Sequence, residues 1–356
     1  MPELRRDPVT RGWVIIAPER KKRPSDFFTK TSEEQLKSCP FCPENESELS
    51  APLQTISSSQ IPVSGESVRF DDDDKWEIIV IEDKYPLLSQ QEDNDRVGEG
   101  MYDQMGGYGH HELIIESKDH NTSVETMSIR HIEGVFYAYQ QRIIKMSQDS
   151  KVNHVLITRN TGHYAGANIH HPHSHVIGLP IVPKKIYEEM NGAKTYFDYR
   201  ERCLFCDIIA QELEEGSSQD SEGQSRIVME DEHFVTFCPY ASRFPFEVTI
   251  MPKVHQPRFE SINTKELQSL SKHIKTVMTA INSILGKPPI NYIVHSAPFA
   301  DCDIHEFENS HTFFHWHIEL LPKLTRIAGF EWGSGFYINP VSPEDAASHI
   351  RAELEK

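Results

Sequence analysis

His170-His171-Pro172-His173-Ser174-His175-Val176-Ile177-Gly178-Leu179 is the stretch that decides the fold. Its histidines alternate and an apolar, β-prone run follows, which predicts a strand. Alternate residues of a strand share a face, so His171, His173 and His175 are expected on one side. The pattern returns in His311-Thr312-Phe313-Phe314-His315-Trp316-His317, followed by Ile318-Glu319-Leu320-Leu321. Upstream of each stands a Cys-x-x-Cys pair, Cys39-Pro40-Phe41-Cys42 and Cys203-Leu204-Phe205-Cys206. Between pair and repeat, Glu112 precedes His120 by eight residues, and Glu247 precedes His255 by the same interval. Each half thus reads Cys-x-x-Cys, strand and histidine, helix, His-x-His, which is the mark of a duplication.

The duplication yields two ligand sets, Cys39, Cys42, His120 and His171, and Cys203, Cys206, His255 and His315. Two thiolates and two imidazoles suit tetrahedral zinc, so two structural zinc sites are expected. The long, unequal gaps differ from a zinc finger and imply ligands gathered by a sheet. In a reduced, cytoplasmic setting a Cys-x-x-Cys pair is metal-binding or redox-active rather than a structural disulfide. A metal-free redox pair beside a buried histidine is the competing reading. Cys238 and Cys302 are read as small buried apolar residues.

The chain has 356 residues, enough for two domains. Hydrophobic content of 38% excludes wholesale disorder. No apolar run nears the roughly 20 residues of a membrane span, and Met1–Pro8 does not read as a signal peptide. A net charge of −18 argues against a general nucleic-acid binder. Nineteen histidines are the compositional oddity, and their clustering points to metal or imidazole chemistry.

Leu267, Leu270, Ile274, Val277, Ile281 and Ile284 form one helical stripe, capped by Asn263 or Thr264 and ended by Gly286 and Pro288. A similar stripe runs from about Ser123 to Met146. Strands are expected at Trp76–Ile81, Leu113–Glu116, Asn153–Thr158 and Ser174–Leu179, then at Phe234–Cys238, Glu247–Met251, Asn291–His295 and Trp316–Leu321. Strands, helix, strands in each half favours α+β with mainly antiparallel sheets. Glu44 to Asp74, Ser89 to Tyr108 and Gln211 to Ser225 read as mobile loops, the first ending in the acidic run Asp71–Asp74. The halves are expected to meet near 185–202.

Arg5-Arg6-Asp7-Pro8-Val9-Thr10, Trp13 to Arg20, Lys22-Arg23-Pro24, Cys39-Pro40-Phe41-Cys42, Ser117-Lys118-Asp119-His120, His171-Pro172-His173 and Gly329 to Pro340 follow in order. Together they resemble the galactose-1-phosphate uridylyltransferase family, within the histidine-triad superfamily, over almost the whole chain. The resemblance implies two tandem histidine-triad-like domains, 1–190 and 191–356, each an antiparallel half-barrel sheet with a long helix. It implies nucleotidyl transfer between a nucleotide sugar and a hexose 1-phosphate in a homodimer, with uridylyl transfer between UDP-glucose and galactose 1-phosphate as the first reading. The second Cys-x-x-Cys with His255 and His315 looks like the branch that includes plant ADP-glucose phosphorylase, so adenylyl transfer to phosphate is the alternative.

By that resemblance His173 is the nucleophile, its other ring nitrogen donating to a backbone carbonyl such as that of His171. Neutral imidazole serves near physiological pH and passes the group on through a phosphoramidate. His175 stands where the transferases have Gln and the hydrolases His, which keeps a histidine-triad hydrolase as a further alternative. Arg20 and Arg23 match phosphate-binding arginines, with guanidinium forks suited to the task. Residues 1–30 carry eight basic against four acidic side chains, a local offset to the acidic whole. Asn160 and Asn168 match phosphate-contacting positions or serve as turn residues. Asp83 matches a position near the nucleoside and Glu331 a hexose contact, while Tyr337 stands where galactose enzymes use Gln. His317 corresponds to His173 in the second half. A zinc-dependent nucleotide-binding or scaffold protein is the non-enzymatic reading.

Overall fold

The computed structural model describes residues 2–20, 39–62, 77–217, 225–299 and 307–356. The first half contains β1 (Glu3–Arg6), β2 (Trp13–Ile16), β3 (Gln54–Ser57), β4 (Glu77–Glu82), β5 (Arg96–Glu99), β6 (Tyr102–Met105), β7 (His110–Ile115), α1 (Ile129–Met146), β8 (His154–Thr161) and β9 (His173–Leu179). Two helices follow, α2 (Lys184–Arg200) and α3 (Leu204–Ser217). The second half adds β10 (Ile227–Glu230), β11 (Phe234–Phe237), β12 (Val248–Pro252), α4 (Thr264–Leu285), β13 (Ile290–His295), α5 (Ser310–Phe313), β14 (His317–Pro322), α6 (Gly329–Ser334), β15 (Tyr337–Asn339) and α7 (Pro343–Leu354).

Among the described residues, ten strands form one sheet in the order β10-β11-β12-β14-β13-β8-β9-β7-β4-β3. All its pairings are antiparallel. The order is a palindrome about the β8–β13 seam, where Ile157 pairs with Val294 and Asn160 with Asn291. The duplication read in the sequence is therefore a duplication of sheet topology. A small sheet joins the chain's two ends, with β15 parallel to β2 and β1 antiparallel to β2.

One face of the large sheet carries the core. Ile114, Val176, Val248, Ile250, Ile318 and Leu320 point there with α1 and α4, in one continuous cluster of buried residues. Phe136, Tyr139, Phe259 and Trp316 form aromatic contacts inside it, Phe259 edge-on to Trp316 at 5.0 Å. The opposite residues of the same strands, His111, Leu113, His173 and His175 in one half and Thr249, Met251, His317 and Glu319 in the other, line the site face.

Asn263 caps α4: its side chain accepts from the amides of Lys265 and Glu266, and Glu266 accepts from the Asn263 amide. Gly286 ends α4 in the left-handed region at φ 68°. The other stripe is shorter than its apolar residues imply: α1 starts at Ile129 because Ser128 accepts from the amide of His131. The expected loop from Ser89 to Tyr108 contains the β5–β6 hairpin, whose residues are almost all exposed and so show no apolar alternation. Ser57 and its neighbours in β3, and Gln211 to Ser217 in α3, also replace expected loop; the acidic run Asp71–Asp74, Trp76 and Cys302 lie outside the described residues. Cys238 is fully buried, as read from the sequence.

Gly192 shows why α2 sits where it does. A Cβ there would lie 1.8 Å from the Val9 carbonyl oxygen, so only glycine lets the N-terminal segment press against this helix.

Candidate active site

Cys39, Cys42, His120 and His171 bring one ligand atom each within 4.8 Å of one another, and Cys203, Cys206, His255 and His315 do the same. Cys42 Sγ stands 3.5 Å from His120 Nδ1 and 3.7 Å from His171 Nδ1; Cys206 Sγ stands 3.5 Å from His255 Nδ1 and 3.6 Å from His315 Nδ1. With metal–sulfur near 2.3 Å and metal–nitrogen near 2.0–2.1 Å, a tetrahedral sulfur-to-nitrogen edge is about 3.6 Å. The donor sets therefore fit a zinc-sized tetrahedral ion. Outer partners fix the tautomers: His171 Nε2–H donates to the Ser117 carbonyl at 2.7 Å, His255 to that of His311 at 2.9 Å, and His315 to that of Pro252 at 2.8 Å. Each ring thus turns bare Nδ1 toward the thiols.

His173 opens β9 two residues after His171. Its Nδ1–H donates to the His171 carbonyl at 2.7 Å, which leaves Nε2 bare. Phe41, inside the first Cys-x-x-Cys, packs on the ring at 5.3 Å between centroids. Burial holds the His173 pKa below the ordinary imidazole range, against the hydrogen bond to His171. The ring borders a cavity of about 720 Å³ that also touches Phe41, Asp83, His111, Asn160, Asn168 and His175.

Four of the sequence-predicted residues thus meet around His173: Asp83, Asn160, Asn168 and His175. Asp83 Oδ1 accepts from the Tyr85 amide at 2.8 Å. Asn160 Oδ1 accepts from Asn291 Nδ2 at 2.7 Å across the seam. Gly166, at φ 90°, turns the chain between Asn160 and Asn168. Arg20 ends a short 3₁₀ turn, Pro18–Arg20, and Arg23 lies outside the described residues. Glu331 does not line this cavity; it caps α6, accepting from the Ala328 amide at 3.0 Å. His170 is exposed.

Sequence reasoning missed His111. It lies on β7 and Asp83 on the loop after β4, and strand pairing brings both beside His175, with His111 Nε2 at 3.0 Å from His175 Nδ1. The atoms of Asp83, His111 and His175 also fall within 4.8 Å of one another, but the Leu87 amide already donates to His111 Nδ1 at 3.1 Å. No local pattern marks His111; only the register of β7 on β9 does.

The second half keeps the frame and changes the chemistry. His317 donates from Nδ1 to the His315 carbonyl at 3.1 Å, as His173 does to His171. Strand registers place Glu319 where His175 stands, Glu247 where His111 stands, and His295 where Asn160 stands. From α2, Glu189 enters this site, 2.9 Å from His295 Nδ1 and 3.9 Å from His317 Nε2. Arg243 pairs with Glu319 at 2.6 Å and Glu247 at 2.8 Å, and Lys185 with Glu189 at 3.3 Å. Burial opposes charge on His295, but Glu189 and Glu319 outweigh it and raise its pKa to about 9. Burial and charged His295 push His317 down to about 4. Glu189, His295, His317 and Glu319 form a further group of metal-type donors within 4.8 Å, with two cations already paired to its carboxylates. Glu189 thus stands before Nε2 of His317, whereas His173 borders open cavity.

Residues 1–183 match the family described as galactose-1-phosphate uridyl transferase, N-terminal domain, and residues 186–349 match its C-terminal domain. ADP-glucose phosphorylase from Arabidopsis thaliana is 32% identical over 355 residues, 98% of this chain and 92% of the relative. Galactose-1-phosphate uridylyltransferase from Thermotoga maritima is 28% identical over 359 residues, 99% and 98% of the two chains. The crystal structure of an ADP-glucose phosphorylase from Arabidopsis thaliana with bound ADP-glucose superposes with a TM-score of 0.76 at 30% identity, covering 99% of both chains.

Proposed function

This chain belongs to the galactose-1-phosphate uridyl transferase family, and from that premise we propose that it moves a nucleoside monophosphate between a nucleotide sugar and a hexose 1-phosphate through a nucleotidyl-His173 intermediate. The observation that carries the reading is the bare Nε2 of His173, fixed by the His171 carbonyl, on a ring that borders the cavity of about 720 Å³. Nε2 attacks the α-phosphorus, the P–O bond to the β-phosphate breaks, and hexose 1-phosphate leaves. A phosphate oxygen of the acceptor then attacks the same phosphorus and the P–N bond breaks, its electron pair returning to Nε2. Asn160 and Asn168 are read as donors to the phosphoryl oxygens, Arg20 and Arg23 as their cationic partners, and Asp83 as an acceptor for ribose hydroxyls.

Zinc is the metal these donor sets fit. When bound at the first set it supplies rigidity, holding His171 and hence the carbonyl that orients His173. The second set is read the same way, for the fold of the second half. The copies divide near residue 190. Glu331 is read as a hexose contact given to a second copy, in keeping with a homodimer, since it does not line the cavity of its own chain. The free thiols suit a cytoplasmic setting. No helix among the described residues is long and apolar enough to cross a membrane.

Uridylyl transfer between UDP-glucose and galactose 1-phosphate is the first reading. Phosphorolysis of ADP-glucose is the second, favoured by the plant relative. Incubation with α-labelled UDP-glucose and ADP-glucose separately decides between them. Label on His173 from one donor, absent in His173→Gly, names the donor. Free mononucleotide without protein label makes the enzyme a hydrolase, and neither label nor product refutes the reading.

A further inference from the structure

The Leu87 amide donates to His111 Nδ1 at 3.1 Å. An amide N–H has nothing to accept with, so this ring nitrogen is bare and the proton of neutral His111 sits on Nε2. Nε2 lies 3.0 Å from His175 Nδ1, and the two rings stack at 5.3 Å between centroids. His111 fills that gap with its proton. His175 Nδ1 therefore accepts, and the proton of neutral His175 sits on Nε2, the nitrogen left to the cavity beside His173. Asp83 is the rival: its Oδ2 lies 3.5 Å from His111 Nδ1. Were His111 to donate to Asp83, every proton in the chain would reverse and His175 Nε2 would be bare, but the Leu87 amide occupies that nitrogen. Burial holds His111 below the ordinary imidazole range, and burial with His173 and His111 holds His175 at about 4, so both are neutral at pH 7.5.

We infer that His111 is a positioning residue that locks His175 in its Nε2–H form, making His175 a hydrogen-bond donor to the transferring phosphoryl group and denying water a base. Two residues apart, His173 and His175 hold opposite tautomers, one bare toward phosphorus and the other protonated. The consequence rests on the nucleotidyl-transfer reading. An acceptor phosphate attacks with an oxygen that is already deprotonated, so no proton moves when the P–N bond breaks. Water must lose a proton as it attacks, and His175 Nε2 has no lone pair to take it. His175 then does what an amide side chain would do, and the histidine at this position does not make the site a hydrolase.

Long-range ¹H–¹⁵N imidazole spectra of the ¹⁵N-labelled full chain at pH 7.5, with His175 assigned through His175→Gln, read the tautomer directly. The expected result is Nε2–H for His175 in the native chain and a shift toward Nδ1–H in His111→Phe. In parallel, release of free mononucleotide per nucleotidyl group transferred is expected to rise about tenfold or more in His111→Phe, and to return to the native ratio in His111→Phe/His175→Gln. An Nδ1–H or charged His175 in the native chain overturns the inference without any variant being needed. So does an unchanged ratio in His111→Phe once its tautomer has shifted. A native Nε2–H signal with no label on His173 counts instead against nucleotidyl transfer and leaves the lock standing.

Discussion

His175 and Glu319 occupy the same register in the two halves of one sheet: His175 pairs with Leu113 of β7, and Glu319 with Thr249 of β12. Each lies two residues beyond a histidine whose Nδ1 donates to the carbonyl two residues before it. One half offers a neutral donor at that register and the other a carboxylate locked to Arg243. The two halves share the frame and differ in the side chain set at this register.

The two histidines that lead these strands are therefore expected to differ in their effect on transfer. His173→Asn should lower transfer by about a thousandfold or more, because the covalent route is lost. His317→Asn should lower it by less than about threefold, since no step passes through the second copy. Steady-state rates of both variants, with folding checked by circular dichroism, decide this; equal losses would mean that the second site takes part.

The metal sets predict two zinc ions per chain by metal analysis. Cys42→Ser should lose one of them and reduce transfer about 10–100-fold through the loosened His171 carbonyl. Cys206→Ser should lose the other and lower the thermal midpoint with a smaller effect on rate. A folded, active chain without zinc contradicts both.

The pH dependence of catalysis follows from the lowered pKa of His173. As the proposed nucleophile His173 must be neutral, and burial favours the neutral ring, so acid is expected to inactivate only below the ordinary imidazole pKa of about 6.5. Labelling of the protein by a nucleotide sugar, which has no group titrating in this range, should hold its rate from pH 7.5 to 6.5 and fall beneath. A limb centred at about 6.5 would show His173 to be solvated, and one centred higher would show it paired with an acid.

Stability should move the other way at high pH. His295 is charged between Glu189 and Glu319, with a folded-state pKa of about 9 against about 6.5 when unfolded. A raised folded-state pKa means a contribution fully present below about 6.5 and lost as pH rises through about 9. The thermal midpoint should fall between pH 7 and 9.5 more steeply in the native chain than in His295→Gln. Parallel curves would mean that His295 is neutral in the fold.

Much of this was legible in the sequence, for physical reasons that differ from residue to residue. Cys39, Cys42, His120 and His171 could be read because thiols and imidazoles are scarce and their order repeats. The α4 stripe and its cap at Asn263 could be read because helical period and capping are local. His111 and Glu189 could not. His111 depends on a strand register, and Glu189 on the docking of α2, which is set by contacts as remote as Val9 on Gly192. The β5–β6 hairpin was hidden because a strand pair exposed on both faces leaves no alternation to detect. Arg23 lies outside the described residues, so the phosphate-binding role read for it rests on the sequence.

The seam between β8 and β13 has a mechanical consequence. Separate expression of the two halves would turn two interior strands into bare edges, each showing a row of unpaired amides and carbonyls. Such fragments would seek each other or aggregate, and the intact chain should unfold in one cooperative step despite being built from two copies. An ancestor of half this length would have needed a twin to cover that edge, so the seam reads as a former subunit boundary now crossed by a single chain.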